Sequence, residues 1–130
     1  MKKSAGILIQ YKDKFLIVKS TGFPTWGIPK GGVGNGESEI DAAIRETFEE
    51  TNIYLTPEEI GGELIRYNTP KKEIVVFYHH ATFQYNDLKC NSFLEDGTPE
   101  IDEFLWATRR EALELVKNHM GKIFQEIVVL

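Results

Sequence analysis

Glu46, Glu49 and Glu50 stand three and four residues apart, so on a helix of roughly 100° per residue they share one face. Like charges on one turn repel, which costs stability unless something neutralises them. A hard divalent cation does this well: Mg²⁺ takes carboxylate oxygens and keeps several waters for substrate phosphates. Arg45 beside the cluster and Glu37 ahead of it add a cation and a further carboxylate. Such a set suits a bound divalent cation that faces a phosphate-bearing substrate. The bland alternative is a solvated acidic helix face, and a bare Glu-Glu pair would be read that way.

The flanking sequence supplies the helix. Ser38, with Asp41 three residues on, makes a capping-box start. Ile40, Ile44, Phe48 and Thr51 fall opposite the glutamates and are expected to enter a core, with Thr47 at the edge of that face and Glu39 close to the acidic one. Asn52 suits the left-handed residue that ends a helix, although Gly would suit it better. Ahead of the helix lie Gly31, Gly32, Gly34 and Gly36, whose backbone can come close to metal and phosphate.

The spacing decides against a merely solvated face. It reads Gly31, five residues, Glu37, seven residues, Arg45-Glu46, two residues, Glu49-Glu50. Six fixed positions at roughly one in fifteen each make a chance match on the order of one in 10⁵. From Gly31 to Ile53 the pattern resembles the signature of the Nudix hydrolases. Thr47 stands where an aliphatic residue is usual, and Asn52 where the pattern has Gly. Asn tolerates the left-handed conformation, and neither departure removes a catalytic group.

The resemblance implies an α/β/α sandwich, with a mixed β-sheet between the box helix and a C-terminal helix. It also implies an enzyme in which water attacks phosphorus in a nucleoside diphosphate linked to another group. Such chemistry asks mainly for positioning and charge neutralisation. Carried over by resemblance, Glu46 and Glu50 become metal ligands. Glu49 is a third ligand or, on an equal footing with Glu46, the base that takes the water's proton. A carbonyl of Lys30 or Gly31 reaches the metal, which is expected to be Mg²⁺, or Mn²⁺ in its place. Arg45 pairs with Glu37 and fixes the carboxylates.

Trp26-Gly27-Ile28-Pro29-Lys30-Gly31-Gly32 is similar to the W-x-x-P-K-G segment of the asymmetrical diadenosine tetraphosphate hydrolases. That likeness assigns Lys30 to a phosphate chain, and Trp26 either to substrate or to packing under the loop. After the box, Tyr67, Pro70, Lys71, Lys72 and Tyr78 gather aromatics and cations where those hydrolases hold phosphates and stack adenine. Tyr67 with Lys71 is the favoured pair, because Tyr78, in a strand, also reads as core. Glu100 and Glu103 resemble a further carboxylate near the metal, against the plain reading of exposed loop acids. The implied substrate is a dinucleoside polyphosphate, cleaved to ATP and AMP in the four-phosphate case. Alternatives are a 5′-triphosphorylated RNA, ADP-ribose or a nucleotide sugar, an inositol pyrophosphate and a nucleoside triphosphate. Pro70 keeps ADP-ribose open. A nucleotide-binding module without turnover is disfavoured by the intact Glu46, Glu49 and Glu50.

The 130 residues, 42% hydrophobic and 27% charged, fit one globular domain spanning residues 1–130. A net charge of −5 argues against a membrane-surface protein or a general nucleic-acid binder, leaving an RNA 5′ end as the nucleic-acid partner to weigh. It also means that a phosphate site must be made locally positive by a few placed cations. Cys90, the one cysteine, excludes an internal disulfide and fits a reducing compartment. The apolar run after Met1-Lys2-Lys3 is too short to span a bilayer, so the cytoplasm is expected. Strands are expected over 5–10, 15–19, 63–68, 73–84 and 103–107, with 20–29 and 86–100 as loops. Thr108 is expected to cap a helix running to about His119, which Gly121 separates from a last apolar segment, 123–130. The consecutive His79 and His80 should face opposite sides of a strand, one packed and one exposed.

Overall fold

Strand β1 (Lys2–Tyr11) carries two cores at once. Ala5, Ile7 and Ile9 enter one, while Leu8 enters the other. This is the period-two alternation of a strand covered on both faces, and it explains the unbroken apolar run. The structure, a computed structural model, describes residues 2–127.

β1 pairs in parallel with β6 (Lys72–His80), from Lys2 opposite Lys72 to Gln10 opposite His80. It turns at Lys12-Asp13 into β2 (Lys14–Ser20), but the two pair only at Gln10–Phe15 and Tyr11–Lys14. They then part. β2 continues against β7 (Ile101–Thr108) and the short β3 (Trp26–Gly27), which lies inside the expected loop. β4 (Lys30–Gly32) takes the edge of β1 that β2 leaves, pairing with Ser4, Ala5 and Gly6. Gly6 permits this fork, since a Cβ there would strike the Pro29 carbonyl and the Lys30 side chain. β5 (Glu63–Asn68) pairs with β6 at the opposite edge of this seven-stranded sheet.

Helix α1 (Glu39–Thr51) covers one face through Ala42, Ala43 and Ile44. Helices α2 (Arg109–Leu115) and α3 (Gly121–Gln125) cover the other through Ala112, Ile123 and Phe124. Phe124 meets Phe15 edge-on at 5.6 Å. Burying a side chain of this kind contributes about 1.5–3 kcal/mol. The expected α/β/α sandwich around a mixed sheet is what forms.

Three local expectations need correction. α1 is rolled about its axis: Thr47 is fully buried, whereas Phe48 is 39% exposed and stacks edge-on with Tyr54. The buried residues of α1 are Ala42, Ala43, Ile44, Thr47, Glu50 and Thr51, so Ile44 and Thr51 enter the core as expected and Thr47 takes the place expected of Phe48. β6 stops at His80, short of the expected Gln84. The helix capped by Thr108 ends at Leu115, because Val116 is extended and bridges Trp26; Gly121 then opens α3 instead of breaking the chain. The end of the expected apolar segment, 128–130, lies outside the described residues. Among the described residues no helix is long and apolar enough to cross a membrane.

Candidate active site

At α1's start the Ser38 half of the expected capping box forms, without the reciprocal bond from the Asp41 side chain. The Ser38 hydroxyl accepts the Asp41 N–H at 3.1 Å, and Asn52 closes the helix at φ 70°. Between these caps, Arg45 spends its whole guanidinium on the box. Nε and Nη2 grip Glu37 at 2.9 and 3.0 Å, and Nη1 reaches Glu46 at 2.9 Å and Glu49 at 2.8 Å. Nη2 also donates to the Gly32 carbonyl at 2.9 Å, which ties the glycine loop to the helix. The Gly34 N–H donates to Glu37 at 2.9 Å. Arg45, with that N–H, holds the Glu37 carboxyl down at about 2, and the carboxylates in turn raise Arg45.

The three box glutamates do not share one environment. Glu50 is turned into the protein, 8% exposed, and its Oε1 accepts the Lys30 N–H at 3.3 Å. Burial first, and the charge of Glu46 second, push Glu50 up to about 8. Glu46 is half-buried against Gly31, where a Cβ would overlap its carboxylate. Burial pushes Glu46 up as well, opposed by Arg45 and reinforced by Glu49 and Glu100. Glu49 is the more open one, held by Arg45. Glu39 leaves the acidic face, because Arg66 takes it at 2.7 Å and Lys3 at 3.2 Å.

Among the described residues no three Asp, Glu, His or Cys side chains converge to hold one ion. Arg45 draws Glu37 and Glu49 to itself and takes one oxygen of Glu46. The oxygens that remain are those of buried Glu50, the second oxygen of half-buried Glu46 and the main chain at Lys30 and Gly31. An all-oxygen set with two carboxylates fits a hard cation that keeps part of its water shell.

On the other side of Lys30 the charge changes sign. A cavity of about 350 Å³ is lined by Lys30, Thr69, Pro70, Lys71, Lys72, Lys117 and His119. Burial, then the neighbouring Lys72 and Lys117 charges, bring Lys30 down to about 8. Tyr67 stands behind this wall with its hydroxyl 3.0 Å from His119 Nδ1 and the Lys122 ammonium 4.8 Å over its ring. A smaller cavity, about 60 Å³, brings Trp26 together with Lys30, Glu50 and Lys117. Trp26 also packs on the core.

Other expected residues lie apart. Tyr78 donates its hydroxyl to Gln10 at 2.6 Å and packs with the core on the α2–α3 face, lining neither cavity. Glu100 is half-buried, and its charge is felt at Glu46 and Glu50. Glu103 points out of β7 to Lys19, 3.8 Å away. His79 is packed with Nδ1 2.7 Å from the Glu59 carbonyl, and His80 is exposed. Cys90 is buried, its thiol donating to the Ser92 carbonyl. Lys117, His119 and Lys122 were not singled out from sequence. Ala112, Val116 and Met120 keep one helical face across this stretch, so nothing in the periodicity signals the turn that brings these cations inward.

The RNA pyrophosphohydrolase of Bartonella clarridgeiae is 25% identical over 117 residues, covering 79% of this chain and 68% of that protein. The Ap4A hydrolase of C. elegans, in a binary complex, matches with a TM-score of 0.69 at 24% identity, over 97% of this chain and 94% of that one. The E. coli dihydroneopterin triphosphate pyrophosphohydrolase matches at 0.77 and 17% identity, over 98% and 94%. At such identities the two structures speak for the fold alone. The family model for the NUDIX domain matches residues 1–127. With its box carboxylates gathered by one arginine, the chain belongs to the Nudix family and is one of its pyrophosphohydrolases.

Proposed function

We propose that this chain, acting as a single domain in the cytoplasm, hydrolyses a dinucleoside polyphosphate such as diadenosine tetraphosphate to ATP and AMP. Mg²⁺ is the proposed cofactor, with Glu46, Glu50 and the Lys30–Gly31 main chain as its holders. The observation that supports the reading is the change of sign across Lys30. Buried Glu50 and half-buried Glu46 lie on one side and a lysine-lined cavity of about 350 Å³ on the other.

When bound, the ion supplies charge neutralisation on phosphate oxygens and a lowered pKa for a coordinated water. Glu49 is the proposed base, since it is the open carboxylate of the three and Glu46 lies against the loop. Arg45 holds Glu49 and Glu46 at fixed positions through one nitrogen, so their placement needs no reorganisation during reaction. Lys30 directs its ammonium to the phosphate chain, and Trp26 and Tyr67 border the path of the nucleosides.

A second reading is an RNA 5′-pyrophosphohydrolase, favoured by the name of the Bartonella relative and by a lysine wall equally suited to a 5′-triphosphate. A product assay with Mg²⁺ tests both. Diadenosine tetraphosphate is offered beside ADP-ribose, a nucleoside triphosphate and a 5′-triphosphorylated RNA. ATP plus AMP, formed faster than any other product, is the expected result. Preference for the RNA moves the assignment to the second reading, and preference for ADP-ribose removes the long-chain substrate altogether.

A further inference from the structure

The chain leaves α2 at Val116 although its apolar spacing continues, and the departure has a counterpart across the sheet. Val116 bridges Trp26 in parallel, and the Lys117 N–H donates to the Trp26 carbonyl at 3.1 Å. These bonds replace helical ones and keep the backbone paired. Their effect is to turn Lys117 and His119 onto the end of the sheet where Lys30 lies. Lys117 lines both cavities, the one that holds Glu50 and the one walled by Lys71 and Lys72. Its ammonium stands 5.6 Å over the Phe23 ring. The opposite wall is fixed too, because the Thr69 hydroxyl oxygen accepts the N–H groups of Lys71 and Lys72 at 3.3 and 3.2 Å.

Among the described residues, the ion pairs within 4.0 Å involve Lys3, Lys19, Arg45 and Arg66; none involves Lys30, Lys71, Lys72 or Lys117. Four ammonium groups therefore wall one cavity without a carboxylate, in a protein whose net charge is −5. Such an arrangement concentrates anions from solution and repels itself until one arrives. Lys71 and Lys117 come from connections and Lys72 from the start of β6, all outside the box, so the charge is not needed to hold the catalytic glutamates.

We propose that Lys117 and His119, with Lys71 and Lys72, form a distal phosphate subsite that selects for phosphates beyond those nearest the glutamates. It rests on the reading that the Glu46–Glu50 end holds the attacked phosphate. Lys117 is the specificity-determining member, because it alone of the four residues also reaches the pocket of Glu50. His119, its Nδ1 3.0 Å from the Tyr67 hydroxyl, lines the same cavity.

Calorimetric binding of inorganic tripolyphosphate and of pyrophosphate, each with Mg²⁺, tests this without turnover. Lys117→Ala should weaken tripolyphosphate by about tenfold and at least fivefold more than it weakens pyrophosphate, on the scale of a charge-assisted contact. Lys117→Arg should recover most of the loss, and His119→Ala should show the same bias toward the longer chain. Lys117 is exposed, so the fold tolerates its replacement. Equal losses on the two anions, or no loss, overturn the subsite. The outcome separates from the substrate reading. If diadenosine tetraphosphate is not hydrolysed yet the bias persists, the subsite stands and that substrate falls. If it is hydrolysed and the bias is absent, the subsite alone falls.

Discussion

Asn91 donates its side-chain amide to Asn52 Oδ1 at 3.0 Å, at the one residue of α1's end that takes a left-handed backbone. The same amide reaches the Phe48 carbonyl at 3.3 Å, and the Asn91 N–H reaches the Glu49 carbonyl at 2.6 Å. Lys89 N–H satisfies the Thr51 carbonyl at 3.1 Å. The last carbonyls of a helix need partners from elsewhere, and this loop supplies them. Gly, the usual residue at position 52, would keep the backbone and lose the clamp. Asn52→Gly should cost about 1 kcal/mol of stability, and combining it with Asn91→Ala should be less than additive, as urea denaturation of the four proteins would show.

Thr47 is fully buried, and its hydroxyl finds no hydrogen-bond partner among the described residues. Its place in the family pattern is aliphatic, and the structure gives the reason: the side chain faces the sheet. Thr47→Val keeps the shape and removes the orphaned hydroxyl. Stability should rise by about 1 kcal/mol in chemical denaturation. A loss would mean that the hydroxyl has a partner, such as water.

Burial and the Glu46 charge push Glu50 up to about 8, against 4.5 ordinarily. Between those values the folded protein holds a proton that the unfolded chain has released, so stability falls as pH rises through the window. Glu50→Gln removes this slope. In chelator, its advantage in Tm over the parent should grow by about 10 °C between pH 5 and pH 8. Saturating Mg²⁺ should raise the Tm of the parent and leave the variant nearly unmoved, while turnover of the variant falls by about 100-fold or more.

Arg45→Ala frees Glu37, Glu46 and Glu49 together. The Glu37 carboxyl, held down at about 2, contributes stability that is present above about pH 4.5 and is lost as pH falls toward 2. The parent's advantage over Arg45→Ala should therefore shrink between pH 6 and pH 3, as measured by denaturation at each pH. Turnover should drop by about 10–100-fold, the scale on which outer-shell partners of metal ligands act.

The box was legible because its spacing ties identity to a helical turn: caps, glutamates and Arg45 all lie within local reach. The strands were legible because continuous apolar runs need cover on both faces. The roll of α1 was not, since whether Phe48 or Thr47 faces inward depends on how close the sheet comes. The turn at Val116 was invisible for a related reason: its cause, Trp26, lies far away in sequence. Glu100 and Glu103 sit close in sequence and part only in space, one toward the glutamates and the other onto Lys19.

The fork that β1 makes at Gly6 has a consequence for how such enzymes diversify. Lys30 and Gly31 are welded to the central strand, and Glu46 and Glu50 lean on that weld. Lys71 and Lys117 sit instead on short connections, and Lys72 is the first residue of β6, at the end of the sheet. Drift in those connections alters which anion fits and leaves the hydrolytic pair where it stands. Selectivity in this scaffold can wander while its reaction stays put.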